Sequence, residues 1–230
     1  MSETHFDNLL AIDTATKRLH LALMFGGDRV VKTVDAVTKS HGQILMARIQ
    51  SLCDSAALRP NQLHGLIVGV GPGSFTGLRI GLAAAKGLAV AAEIPLLGVG
   101  LFELAAYKMA AAGLSGAVIV PSRKGEYYFA TVENSSAPFE VAVVAEAELP
   151  GLADGRTVYG MGFDPATQLG EVGELSLGGE LEYDGADLLY LGRERLVGGE
   201  SSDLNTLEPL YFQKAIAEVR FDERHRTDSD

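Results

Sequence analysis

A chain of 230 residues is longer than one small domain and shorter than two large ones, so two lobes or one large domain are expected. Its 47% hydrophobic and 21% charged residues supply a substantial core and exclude disorder except at the ends. Thirty acidic against 19 basic residues give a net charge of −11, which disfavours direct, strong binding of a nucleic-acid backbone, and the single cysteine, Cys53, excludes an intrachain disulfide or a cysteine zinc cluster.

The first eight residues are polar and mixed in charge, without the basic start and apolar stretch of a secretory signal. No uninterrupted apolar run reaches the roughly 18 to 20 residues of a membrane helix. A cytoplasmic protein that makes no membrane contact is expected. Leu9-Leu-Ala-Ile12, the polar turn Asp13-Thr-Ala-Thr16, the apolar run Leu19 to Phe25 and the segment Arg29 to Ala36 read as three antiparallel strands. Ser40-His-Gly-Gln43 has the form of a capping box, and Ile44, Leu45, Ile49, Leu52, Cys53 and Ala56 follow at helical spacing until Pro60. Cys53 therefore reads as a buried apolar side chain.

Gly65 to Val70 is a continuous apolar run, the pattern of a strand covered on both faces. A glycine-rich turn follows, then a helix over 76–93, a buried strand over 94–99 and a helix over 101–112, which together make a strand, helix, strand crossover. Segments 117–122, 126–133 and 139–145 read as a second three-strand unit. Glycine crowds the stretch 134–199, which predicts a small, irregular region with a short helix over 184–196. Pro209-Leu-Tyr-Phe-Gln-Lys214 reads as a docking segment and 220–230 as a solvated tail.

The turn Gly71-Pro-Gly-Ser-Phe-Thr-Gly-Leu-Arg79 invites comparison with phosphate loops, because glycines let backbone amides approach an anion at a helix start. Known spacings do not fit. Leu78 stands where a Walker loop has lysine, the last glycine is one place late for a dinucleotide loop, and Pro72 displaces a glycine of G-x-S-x-G. The plain alternative is a tight turn in which Ser74 or Thr76 caps the helix. Gly77, Gly81, Ala85 and Ala89 recur every fourth residue, so something packs closely along that stripe, either the chain's own sheet or a partner's helix. Asp13, with the hydroxyls of Thr14 and Thr16, has the chemistry to hold magnesium or water beside a nucleotide, and Asp-Thr is equally a turn pair. The five histidines lack metal spacing and read as surface or capping residues.

Leu10-Ala-Ile-Asp-Thr-Ala-Thr16, Ser40-His-Gly-Gln43, Gly71 to Gly81 and the strand Ile94-Pro-Leu-Leu-Gly-Val99 together resemble the TsaB family, also called YeaZ. The likeness is concentrated in 8–105, with Arg123-Lys-Gly-Glu126 and Pro209-Leu-Tyr-Phe212 beyond it. It implies an α/β fold of two ribonuclease H-like lobes of the actin, sugar-kinase and Hsp70 superfamily, the second reduced. On this reading a flexible start covers 1–8, the first lobe 9–113, the second 114–208, and a docking segment with tail 209–230. The resemblance implies a non-catalytic subunit that works with TsaD and TsaE to place threonylcarbamoyl on N6 of adenosine 37 of tRNA. TsaD, the catalytic member, is expected to carry the ATP and metal, and this chain no cofactor of its own. Contact with tRNA would come only through the complex.

Candidate positions follow from the residues themselves for a nucleotide and from the resemblance for a partner. A nucleotide or phosphate, if bound, would meet Asp13, Thr14, Thr16, Gly71, Gly73, Ser74 and Thr76. TsaD, or a second copy when the chain is alone, would dock on the helices carrying His41, Leu45, Arg48, Gly77, Arg79, Gly81, Ala85 and Ala89. TsaD's pair of histidines falls here on Leu101 and Ala105, which bind no metal, with Glu103 kept between them. Pro121 stands where relatives usually have aspartate. The alternative class is a stand-alone ATP-dependent phosphotransferase or peptidase.

Overall fold

The computed structural model describes residues 6–36, 41–133, 139–169 and 173–212. A first sheet is built from β1 (Leu9–Asp13), β2 (Arg18–Phe25), β3 (Arg29–Ala36), β4 (Gly65–Gly71) and β5 (Leu96–Gly100) in the order β3-β2-β1-β4-β5. β1, β2 and β3 form an antiparallel meander, and β4 and β5 are added parallel on the other side of β1. Every residue of β1 and β4 is buried, as their unbroken apolar runs require, whereas the edge strand β3 alternates between exposed and half-buried positions and carries Arg29 and Lys32.

The second sheet repeats this plan. β6 (Gly116–Pro121), β7 (Glu126–Val132) and β8 (Ala142–Ala145) form the meander, and β9 (Thr157–Met161) and β10 (Ser176–Leu181) add parallel strands in the order β10-β9-β6-β7-β8. The glycine-rich stretch is thus not small and irregular, because it completes a sheet. β10 escapes sequence reading because its run Ser-Leu-Gly-Gly-Glu-Leu bulges between Leu177 and Gly179, where a side chain on Gly178 would collide with the Tyr159 ring. Reduction of this lobe lies in its helices: α4 (Leu149–Ala153) has five residues and α5 (Pro165–Gln168) four.

Three apolar clusters divide the molecule into layers. α1 (His41–Ser55) and α2 (Phe75–Ala92) cover one face of the first sheet, where Cys53 lies fully buried. α3 (Leu101–Ala112) and α6 (Gly185–Val197) lie in the cluster shared by the facing sides of both sheets, and α4 lies on the outer face of the second. α2 is long and apolar enough to cross a membrane, yet its buried residues, among them Leu78, Leu82 and Ala85, pack into the protein's own core. Ser40, proposed to start the capping box, and the tail 220–230 fall outside the described residues.

The division that places 114–208 in the second lobe needs correction. α6 packs on β1, β2 and β4 of the first sheet, close enough that a side chain on Gly185 would strike the Leu21–Ala22 backbone and one on Gly192 would strike Ile67. The chain then runs along the first sheet: Ser202 N donates to Leu96 O at 2.8 Å, and Leu210 N to Val70 O at 2.8 Å. The physical cause is the second face of the first sheet, which would otherwise leave Leu9, Ala11, Ala22 and Met24 open to water.

Candidate functional site

β1, β4, β6 and β9 end at one side of the molecule, and the start of α2 joins them there. Gly71 adopts φ +90°, the peptide to Pro72 is cis, and Ser74 N donates to Ala15 O at 2.7 Å. The Ser74 hydroxyl caps α2 by accepting from Gly77 N at 3.2 Å, so serine rather than threonine is the cap. A side chain on Gly73 would collide with Ala15 O, and one on Gly77 with Thr14 O. The glycines are thus needed because the turn and the first turn of α2 lie directly on the backbone of 14–15.

Asp13 is 1% exposed, and both its oxygens are engaged: Oδ1 accepts from Ala15 N at 3.0 Å, Oδ2 from the Tyr183 hydroxyl at 2.6 Å. Burial, and then the Asp13 charge, push the Tyr183 hydroxyl well above its ordinary range. Thr14 is fully buried and donates to Gly77 O at 2.8 Å. His20, the cross-strand neighbour of Asp13, stacks on Tyr183 with ring centroids 4.4 Å apart. It is 1% exposed, and neither ring nitrogen has a hydrogen-bond partner among the described residues. Burial pushes its pKa down against the opposing pull of Asp13. The expectation that the histidines are surface or capping residues therefore fails for His20.

Between the two sheets opens a cleft of about 610 Å³. Of the residues proposed for a nucleotide, Thr16, Gly73, Ser74 and Thr76 line it, whereas Asp13, Thr14 and Gly71 do not. A magnesium–nucleotide site does not fit these residues. The one carboxylate proposed for the metal is sealed by Tyr183, and no cluster of three or more His, Cys, Asp or Glu suited to a metal occurs among the described residues. Glu103 is pushed up by burial and held in place by Arg195 at 2.6 Å, while Leu101 and Ala105 are core residues.

Aromatic residues shape the cleft, Phe75 from the glycine-rich motif and Tyr128 and Phe163 from positions that no motif marked. Pro209-Leu-Tyr-Phe212 does reach this rim: Leu210 and Tyr211 line it, and the Phe212 ring lies 5.9 Å from Tyr128. Arg79 sits 4.0 Å over the Phe75 ring and donates from Nε to the Tyr211 hydroxyl at 2.9 Å.

The proposed partner residues divide into two groups. Gly77, Gly81, Ala85, Ala89, His41 and Leu45 are buried inside the chain, and a side chain on Gly81 would strike Thr14. The small-residue stripe packs inside the chain itself: Gly77 and Gly81 lie against Thr14, just after β1, and Ala85 and Ala89 lie in the apolar cluster that α2 shares with α1 and the first sheet. Arg48 pairs with Asp35 at 2.5 Å on the surface, and Arg79 is exposed. The outer side of α1 and α2 instead presents Met46, 51% exposed, Val90, 64% exposed, and Gly87, whose missing side chain faces open space.

Comparison with known proteins adds family evidence to this geometry. The family model for TsaD, tRNA N6-adenosine threonylcarbamoyltransferase, matches residues 35–151. The Bacillus subtilis protein named tRNA threonylcarbamoyladenosine biosynthesis protein TsaB is 28% identical over 95% of this chain and 99% of its own length. Its Escherichia coli counterpart of the same name is 29% identical over 91% of this chain and 96% of its own. The solved structure of YeaZ from Pseudomonas aeruginosa superposes with a TM-score of 0.71 at 26% identity, covering 89% of this chain and 99% of that one.

Proposed function

The chain belongs to the TsaB (YeaZ) family, and on that premise we propose that it is a non-catalytic subunit of tRNA threonylcarbamoyladenosine biosynthesis. It binds TsaD and works with TsaE, so that TsaD transfers threonylcarbamoyl to N6 of adenosine 37 in tRNAs reading codons that begin with adenine. ATP and metal belong to TsaD, tRNA is reached through the complex, and the chain pairs with itself when TsaD is absent. It acts in the cytoplasm.

The observation that carries this reading is the Asp13 carboxylate, held at both oxygens within the protein and shut off from the cleft. A phosphotransferase of this architecture needs a carboxylate able to approach a metal-bound phosphate. Leu101 and Ala105 supply no metal ligand either. What remains is a surface, and the outer side of α1 and α2 offers Met46, Ala83, Gly87 and Val90 at exposed positions.

Reconstitution tests it. With TsaD, TsaE and the activated threonylcarbamoyl donor present, adding this chain should raise modified adenosine well above the level reached without it, and equal levels would overturn the reading. Gly87→Arg should weaken capture of TsaD while leaving the thermal midpoint of the isolated chain unchanged or raised, because no described residue comes within 4 Å of a β-carbon added there.

A further inference from the structure

We propose that the cleft between the two sheets binds a small organic anion with a flat apolar body, and takes it up without a metal ion. Its volume of about 610 Å³ is in the range of small-molecule sites, roughly 300–1,000 Å³. The walls are apolar and aromatic, with Phe75, Val120, Tyr128 and Met161 among them, which suits a planar body.

Charge selects the rest of the ligand. In a chain with 30 acidic residues and a net charge of −11, none of the described residues lining this cleft is acidic. Lys17, in the loop after β1, lines it. The first turn of α2 opens there through Ser74, Phe75 and Thr76, and a helix start carries partial positive charge. Pro121 occupies the end of β6, exposed, with no carboxylate to offer a cation. Asp13, the nearest strand-end carboxylate, is held by Tyr183 and Ala15 and does not reach the cavity. Positive charge without a carboxylate favours a bare anion over a metal complex, whose cation would have no protein oxygen of opposite charge to meet. The site stands apart from the proposed TsaD surface on α1 and α2, so either can fail without the other.

Anilinonaphthalene sulfonate, a flat apolar body bearing one anion, is the probe. Titrated into the folded chain in EDTA, it should bind saturably with one molecule per chain, and magnesium should not change its affinity. Pro121→Asp and Lys17→Glu alter exposed positions, and each should weaken binding about tenfold without shifting the thermal midpoint. Lys86→Glu, on α2 outside the cleft, should have no effect. Inorganic phosphate should fail to compete at concentrations where the probe saturates. Unsaturable binding, equal affinity in all three variants, or competition by phosphate alone would overturn the proposal. So would magnesium–ATP that displaces the probe and loses that ability in EDTA.

Discussion

The two ring nitrogens of His20 meet no hydrogen-bond partner among the described residues, although the residue is 1% exposed. A buried polar group left unsatisfied costs about 1–3 kcal/mol, so this position weakens the fold at neutral pH before any proton is added. The groups facing it are Asp13 on β1, Arg18 on its own strand, and Glu180 and Asp184 at the two ends of the link from β10 to α6. The three carboxylates favour protonation, yet burial outweighs them and lowers the folded-state pKa below the ordinary 6.5. As pH falls, the unfolded chain therefore takes up this proton before the folded chain does. The His20 contribution to stability is whole above pH 6.5 and declines below it until the folded-state pKa is passed. His20→Phe keeps a ring against Tyr183 and removes both nitrogens. Unfolding free energies from urea melts across a pH series should be higher for the variant at neutral pH, by about 1 kcal/mol, and should lose part of the decline below pH 6.5. Parallel curves for the two proteins would show that other groups govern the acid limit.

Among the elements, α2 and the turn before it separate two uses of glycine that look alike in the sequence. Gly73 faces the Ala15 carbonyl and Gly81 faces Thr14, whereas no described residue lies within 4 Å of a β-carbon added at Gly87. Gly73→Ala pushes a methyl into a backbone oxygen that β1 and the turn hold in place, and should destabilise by about 3 kcal/mol. Gly87→Ala adds helix propensity at an exposed site and should stabilise by about 0.5–1 kcal/mol. Denaturant melts of the two variants check both signs, and a loss for Gly87→Ala would mean that the helix meets something there even in the isolated chain. Four-residue spacing showed that Gly77, Gly81, Ala85 and Ala89 share a face, but spacing carries no information on what covers that face. The cap at Ser74 was legible because its partner is three residues away. The lock on Asp13 was not, because Tyr183 lies 170 residues further along the chain. β9 and β10 were lost for a local reason, since glycines at 160, 178 and 179 erase the apolar alternation that marks a strand.

At the scale of the molecule, the repeated sheet order suggests two lobes that fold apart, and the packing argues against it. The meander followed by two parallel strands was half legible, since each antiparallel unit was marked by its turns while the return of α6 to the first sheet left no local signal. One apolar cluster joins Leu9 and Ile67 of the first sheet, Leu104 and Met109 of α3, Val118 and Tyr128 of the second sheet, and Leu188 and Leu189 of α6. Neither sheet owns that cluster, so loss of either lobe exposes it. A fragment of residues 1–113 lacks α6 and should leave the inner face of its sheet uncovered, aggregating or binding an apolar dye strongly. Joining 185–212 back to it through a flexible linker should lessen the aggregation without abolishing it, because this segment supplies α6 and the backbone bonds to Leu96 and Val70 while the α3 side of the cluster, which meets Val118 and Tyr128 in the intact chain, stays uncovered. The same shared core requires the intact chain to unfold in one cooperative step, with tyrosine fluorescence and far-ultraviolet dichroism giving the same midpoint. Two resolved transitions, or a soluble and native-like 1–113 fragment, would show that the lobes are independent after all.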